Sequence, residues 1–180
     1  MTKEEQELVK KAQNGQKEAF GTLYDKHLPA IYRFILLKVG NEPDAEDICH
    51  QVFLNAWQNI ESYRFQGFPF SSWLYRIARN AVIDHWRTRK TDVDIELVSS
   101  TLLSDAPALG EQLDDKLGIE RVWRALKKLD DDHQSLLVMK FVNELSNKEV
   151  AEILGKSEGA VRVTQHRALK QLKKILEEEK

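Results

Sequence analysis

The chain has a single cysteine, Cys49, so no disulfide can form within it, and that thiol has no companions at metal-ligand spacing. No run approaches the ~20 consecutive apolar residues that a bilayer-spanning helix needs, and the N-terminus MTKEEQELVKK is too polar for a signal peptide. Glycine-rich phosphate cradles are missing, and the five histidines (His27, His50, His85, His133, His166) are scattered rather than grouped. No segment alternates apolar and polar residues with period two, the signature of a half-buried strand. These absences argue against a disulfide scaffold, a membrane-inserted protein and an enzyme. The expectation is a cytoplasmic, helical, non-catalytic protein with no metal and no cofactor.

What is present is enough hydrophobic material, 42% of 180 residues, to build one ordinary domain or two small ones. The net charge of −2 hides a segregation. Residues 1–90 carry 13 Lys and Arg against 11 Asp and Glu; residues 91–115 carry none against 7; residues 116–180 carry 14 against 11. Two mildly basic blocks therefore flank a purely acidic strip. That distribution removes most of the objection that an overall acidic balance would raise against nucleic-acid binding.

Helical periodicity dominates both blocks. It runs from Glu4 to Ala12 and from Lys17 to Val39, interrupted at Asn14-Gly15. A third helix is predicted from NEPDAEDICHQVFLNAWQNI, with Pro43 in its first turn and Asp44, Glu46 and Asp47 at the positive end of its dipole. A fourth follows ESYRFQGFPF, capped by Ser71 or Ser72. The strip TDVDIELVSSTLLSDAPALGEQLDD, with Pro107, Gly110 and clustered serines, reads as an inter-domain linker, too long for a loop within one compact domain. Helices resume at KLGIERVWRALKKL and DDHQSLLVMKFV, and the DDD at Asp130–Asp132 suits the turn between them.

The most specific local signal is LSNKEVAEILGKSEGAVRVTQHRALKQLKKIL. Ser146 and Glu149 form a capping box, Gly155 ends the short helix, and Ser157 caps a second one. Helix, glycine-containing turn and helix make a helix-turn-helix. At ~100° per residue, Val161, Thr164, Gln165, Ala168, Leu172, Ile175 and Leu176 share one face of the second helix. Arg162, Val163, His166, Arg167, Lys170, Lys173 and Lys174 share the other. That face carries cations for phosphates, arginine for guanine and a small apolar group for a thymine methyl. For this helix alone, an ordinary solvated basic face stays open as the alternative.

The stretch FQGFPFSSWLYRIARNAVIDHWRTRK crowds aromatics and arginines together with Asp84 as its one acid. On the wheel, Leu74, Ile77, Ala78 and Ala81 form the side to bury, and Arg76, Arg79, Ile83, Trp86 and Lys90 face away, with Tyr75, Val82 and Arg87 flanking. Tyr63, Phe65, Phe68 and Phe70 precede them. Rings for base stacking beside cations for phosphates are how single strands are held. Aromatics at helical spacing also build cores, and about half of these rings are expected there, with Phe65, Phe70 and Trp73 foremost.

In order and spacing, these motifs resemble the extracytoplasmic function (ECF), or group IV, sigma factors of the sigma-70 family. AQNGQKEAFGTLYDKHLPAIYRF and DAEDICHQVFLNAW resemble parts of sigma domain 2, FPFSSWLYRIARNAVIDHWR its −10 segment, and LSNKEVAEILGKSEGAVRVTQHRALKQL the domain 4 helix-turn-helix. The resemblance implies an all-α protein with domain 2 at 1–90, a flexible acidic linker at 91–115 and domain 4 at 116–180. It implies polymerase binding through Asp44, Asp47, Gln51 and Asn55, although family members often read D-A-E-D-x-x-Q-E where this chain has His50 and Gln51. It implies −10 contacts at Arg64, Phe68, Arg76, Arg79, Asn80, Asp84, Trp86 and Arg87, and −35 contacts at Ser157, Arg162, Val163, His166, Arg167 and Lys170. The implied partners are core RNA polymerase (β′ coiled coil and β flap), promoter DNA and an anti-sigma factor, with no membrane insertion.

A self-sufficient helix-turn-helix regulator that binds duplex as a dimer is the competing expectation. It would explain the C-terminal motif and leave the aromatic and basic stretch without work.

Overall fold

The computed structural model describes residues 2–88 and 113–178, the side chains of 113–117 and 119 excepted. Among the described residues there are eight α-helices and no strand. The acidic strip therefore lies outside the described residues, apart from its last three positions, which open a helix.

Helix α1 (Lys3–Gln13) starts where Thr2 Oγ1 accepts the Glu5 amide at 3.2 Å, and it stops at Asn14-Gly15, with Gly15 at φ 82°. Helix α2 (Lys17–Val39) ends on Gly40 at φ 86°, a left-handed cap that a side chain would strain. Helix α3 (Glu42–Gln58) has Asn41 Oδ1 accepting the Asp44 amide at 2.9 Å and Pro43 in its first turn, where no amide hydrogen is missed. A 3₁₀ turn at Ile60–Ser62 leads into α4 (Phe70–Thr88). Helix α4 begins before either serine, so neither Ser71 nor Ser72 caps it, and Ser72 is buried.

These four helices enclose Leu23, Ile31, Phe34, Ile35, Val52, Phe70, Leu74, Tyr75 and Val82. Each large apolar side chain removed from water this way is worth about 1.5–3 kcal/mol. Phe34 meets Tyr75 edge-on at 5.4 Å between ring centres, and Tyr63 meets Phe70 likewise at 5.3 Å. Helix α1 is pinned to α2 by the buried Glu5, whose Oε1 lies 2.9 Å from His27 Nε2 and 3.1 Å from Lys26 Nζ.

Helix α5 (Leu113–Lys127) is followed by α6 (Asp131–Leu137), with Asp130 Oδ1 capping it at 2.9 Å from the His133 amide. Val138–Val142 continue as a π-type turn, and Glu144 then takes φ 56°, the left-handed region usually filled by glycine. Helix α7 (Asn147–Leu154) has the capping box in full, with Ser146 and Glu149 bonded reciprocally at 2.8 and 3.2 Å. Gly155 at φ 63° ends it, and Ser157 Oγ accepts the Ala160 amide at 3.2 Å to start α8 (Glu158–Glu178).

Helices α1–α4 and α5–α8 lie against one another. Helix α4 packs on α7, and α2 packs on the π-type turn, so buried apolar residues of both groups join one cluster.

Candidate nucleic-acid interface

Helix α8 divides as its sequence pattern requires. Val161 and Ala168 are buried; Thr164, Gln165, Leu172, Ile175 and Leu176 are half-buried. Arg162, Val163, His166, Arg167, Lys170, Lys173 and Lys174 are all exposed. Val163 is 52% exposed, a large apolar group with no packing reason to face water. Ser157 stands exposed at the start of the helix. Arg162 lies 3.9 Å from Glu158 one turn back, a solvated pair of small energetic weight. The helix thus presents a ridge of cations with Val163 among them, of the size and curvature that a major groove admits, and Leu169 is exposed as well.

Helix α4 differs from its wheel reading by a small rotation. The buried side is Leu74, Tyr75, Ala78 and Val82, while Ile77 and Ala81 are half-buried. Tyr75 and Val82 are core residues rather than flanks. Among the preceding rings, Tyr63 and Phe70 are buried and Trp73 packs between them, at 5.2 and 5.5 Å. Phe65, expected to pack, is 50% exposed instead, because the loop turns it outward before the chain re-enters the core at Phe70. Trp86 is half-buried against the core and meets His85 edge-on at 5.2 Å, so only part of its ring faces solvent. Arg76, Asn80, Asp84 and Arg87 are exposed, with Arg87 and Asp84 paired at 3.1 Å. Arg64 is exposed and donates to the Glu61 and Tyr63 carbonyls.

Between the loop and α4 lies a small pocket of about 150 Å³, lined by Tyr63, Arg64, Phe68, Trp73 and Arg76 and, from α7, by Glu152. Phe68 is half-buried there with the Lys148 ammonium 5.4 Å from its ring centre. Arg79 donates to Asp131 at 2.9 Å and to Asp132 at 2.8 Å, and Arg76 lies 3.5 Å from Glu152. Lys156 hydrogen-bonds Asp132 and, with Arg79 behind it, holds that carboxyl below the usual aspartate range. None of these contacts from α6 and α7 is visible in the sequence. Lys38, whose ammonium bonds the Asp131 carboxylate at 2.5 Å, does leave a trace, as a lone cation in the apolar run FILLKVG.

On α3, Asp47, Gln51 and Asn55 are exposed at four-residue spacing along one edge. Asp44 is set apart from them. It is half-buried, accepts from Asn41 Nδ2 at 2.9 Å and lies 3.5 Å from His85 of α4. Beside the exposed edge runs a largely apolar groove between α2 and α3, lined by Tyr24, Leu28, Tyr32, Asp47 and His50. Sequence patterning missed this groove, because its residues come from two helices. Cys49 is buried at its floor, where loss of hydration pushes the thiol up to about 12.

Among the described residues no group of His, Cys, Asp and Glu could hold a metal ion. No described helix is long and apolar enough to cross a membrane.

Residues 23–91 match the family model of sigma-70 region 2, and residues 119–172 that of sigma-70 region 4. The chain is 33% identical to the ECF RNA polymerase sigma factor SigW of Bacillus subtilis, covering 93% of this chain and 94% of that one. It is also 33% identical to the ECF sigma factor BldN of Streptomyces coelicolor over 94% of this chain, which spans 65% of that longer protein. Among solved structures, CnrH in complex with the cytosolic domain of CnrY superposes with a TM-score of 0.75 at 25% identity, covering 98% of this chain and 99% of that one. The sigma factor RpoE of Bartonella quintana, solved with the anti-sigma factor NepR, has the same fold, with a TM-score of 0.66 at 22% identity over 88% of this chain and 96% of that one. A helix-turn-helix with an exposed basic face and these matches along both halves make the chain a member of the ECF sigma factors of the sigma-70 family.

Proposed function

We propose that this sigma factor bridges core RNA polymerase and a two-part promoter, with residues 1–90 and 116–180 as its two working domains. Helix α8 enters the −35 major groove. Ser157 and Lys170 meet phosphates there, and Arg162, Val163, His166 and Arg167 meet base edges. The observation that carries this assignment is the exposed Val163 among Arg162, His166, Arg167 and Lys170, a stretch with no acid between Glu158 and Glu177.

The α4 face and the pocket before it take the opened −10 strand. Arg64, Arg76, Arg79 and Arg87 neutralise phosphates, Asn80 and Asp84 read base edges, and Phe68 and the free edge of Trp86 offer stacking surface. Extracting a base costs a few kcal/mol, which the pocket contacts must offset.

The edge of Asp47, Gln51 and Asn55, with the adjoining apolar groove, suits the coiled coil of the polymerase β′ subunit, one helix laid in a groove with polar partners along its rim. Asp44 contributes there through the start of α3 rather than by direct contact. The β flap meets the second half. An anti-sigma factor is the natural inhibitor, since CnrH was solved with CnrY and RpoE with NepR. Chemistry belongs to the polymerase; this chain supplies the choice of start site.

Run-off transcription with core polymerase on genomic promoter fragments tests the assignment. Defined transcripts that require this chain are the expected result. Tight, sequence-specific duplex binding by the isolated chain, with no effect on polymerase, would favour the dimeric regulator instead.

A further inference from the structure

Helix α1 ends on a side chain that reaches far along the sequence. The Gln13 amide donates to the Ile60 carbonyl at 3.0 Å and to the Tyr63 carbonyl at 2.9 Å, partners 47 and 50 positions away. Only the nitrogen end of a glutamine side chain can serve two carbonyls, because it carries two hydrogens that diverge. The two acceptors bracket the 3₁₀ turn: Ile60 opens it and Tyr63 follows it, with the turn's own bond from the Tyr63 amide to the Ile60 carbonyl at 3.1 Å. Gln13 therefore clips both ends of that turn to α1. It lies ahead of residues 23–91, the stretch matched by sigma-70 region 2.

After the turn comes the loop that carries Arg64 and Phe68 to the pocket before α4. The Tyr63 ring is held already, buried against Phe70 and Trp73 at 5.3 and 5.2 Å. A held ring does not fix the peptide plane beside it. Rotation of the planar Tyr63–Arg64 unit would leave the ring in place and redirect the loop. Gln13 removes that freedom by holding the Tyr63 oxygen. The same oxygen accepts from Arg64 Nη1 at 3.0 Å, so the guanidinium takes its place from a carbonyl that Gln13 sets. Between α1 and the loop runs a cleft of about 430 Å³, lined by Val9, Lys10 and the half-exposed Phe65, so packing does little to hold the loop on this side.

We infer that Gln13 is a positioning residue for the −10 pocket: by fixing the Ile60 and Tyr63 carbonyls it sets the loop that selects the captured base, without contacting DNA itself. The inference rests on the assignment of that pocket to the opened −10 strand. A loop held in place beforehand loses little freedom on binding, and its contacts then distinguish one base from another more sharply.

Full-length Gln13→Met keeps the reach of the side chain and loses both donors, and Gln13→Lys returns donors on an ammonium. Gln16→Met and Gln16→Lys, at an exposed position whose side chain makes no cap bond, are the controls. Hydrogen exchange at the Ser62 and Tyr63 amides is expected to run about tenfold faster in Gln13→Met than in wild type, with Gln13→Lys between the two. Run-off transcription with core polymerase then uses a promoter fragment that wild type recognises, with every base placed in turn at each −10 and each −35 position. Preference for the best base at the captured −10 position is expected to fall about fivefold in Gln13→Met and to recover in Gln13→Lys beyond its control. Preference at −35 should stay within about twofold of wild type.

Unchanged exchange in Gln13→Met would overturn the inference, because the clip would then hold nothing. Faster exchange with the −10 preference intact would overturn it as well, since loop position would not govern base choice. A uniform fall in transcript that tracks a lower melting midpoint, with both preferences intact, would make Gln13 a stability residue only. If Gln13→Met loses its helical circular dichroism, Gln13→Ala decides on the same readouts. Wild type that directs no transcript from any fragment removes the promoter reading and this inference with it. A transcribing wild type whose Gln13→Met variant keeps its full −10 preference removes the inference alone.

Discussion

Lys38 places its ammonium 2.5 Å from Asp131 Oδ1 although the two residues are 93 positions apart. Burial pushes the lysine's pKa down, and the Asp131 charge only partly opposes that shift. Asp131 itself keeps 37% of its side chain in solvent and has Arg79 as a second partner. The pair is therefore asymmetric: the lysine depends on the aspartate far more than the reverse.

That asymmetry makes opposite predictions for the two partners. Removing one member of a buried pair costs about 3–5 kcal/mol because the other charge is left buried and unpaired, a penalty that falls on Lys38 and not on the partly solvated, Arg79-paired Asp131. Asp131→Ala is expected to lower the thermal midpoint, with the loss capped by the free energy of docking because separation rehydrates Lys38. Lys38→Met is expected to stay within about 1 kcal/mol of wild type. Urea denaturation of both variants checks this, and equal losses would mean that the pair is valued for its attraction alone.

Arg167 is solvent-exposed on α8 and has no described structural duty. Arg167→Ala is expected to weaken promoter-dependent transcription by about 1–3 kcal/mol of −35 discrimination. Stability should move by no more than about 0.5 kcal/mol. Transcription on −35 variants and a melting curve measure the two quantities separately.

Trp86 now carries a stability expectation that its place on the charged side of the wheel does not suggest. Because the ring is half-buried against the core, Trp86→Ala is expected to destabilise the fold by about 1–3 kcal/mol, less than a fully buried aromatic would. Trp86→Phe should recover most of that loss. A deficit in promoter opening that persists in Trp86→Phe, with the melting curve restored, would assign the remaining effect to the exposed edge.

Glu5 is the carboxylate most strongly held in the charged form. Its hydrogen bond to His27 leads, opposed by burial and helped by Lys26, and together they bring it from 4.5 to about 2. A depressed carboxylate contributes stability above its unfolded value and loses it as pH falls toward its folded one. Wild type should therefore lose about 3 kcal/mol between pH 4.5 and 2 through this group. Glu5→Gln should be less stable at pH 7 and show a shallower loss across that window, measured by denaturation at stepped pH.

Much of this protein was legible in its sequence because the deciding signals are local. The bounds of α1, α2 and α3 follow from apolar spacing, Asn41 and Gly40. The helix-turn-helix follows from Ser146, Glu149, Gly155 and Ser157, residues that act on backbone groups within four positions. The two faces of α8 follow from one helix wheel, since that helix packs along a single side. Where local signals were misleading, a distant neighbour was the reason. Helix α4 rotates to bury Tyr75 because Phe34 is there to receive its ring. The left-handed turn at Glu144 has no glycine to announce it.

The sequence by itself determined an all-helical chain, its helix ends and the cationic ridge of α8, because capping and periodicity act over a few residues. Only the tertiary structure decided that Arg79 and Lys38 face the acids of α6. Ion pairs between separate helices depend on how whole surfaces dock, and no spacing along the chain encodes that.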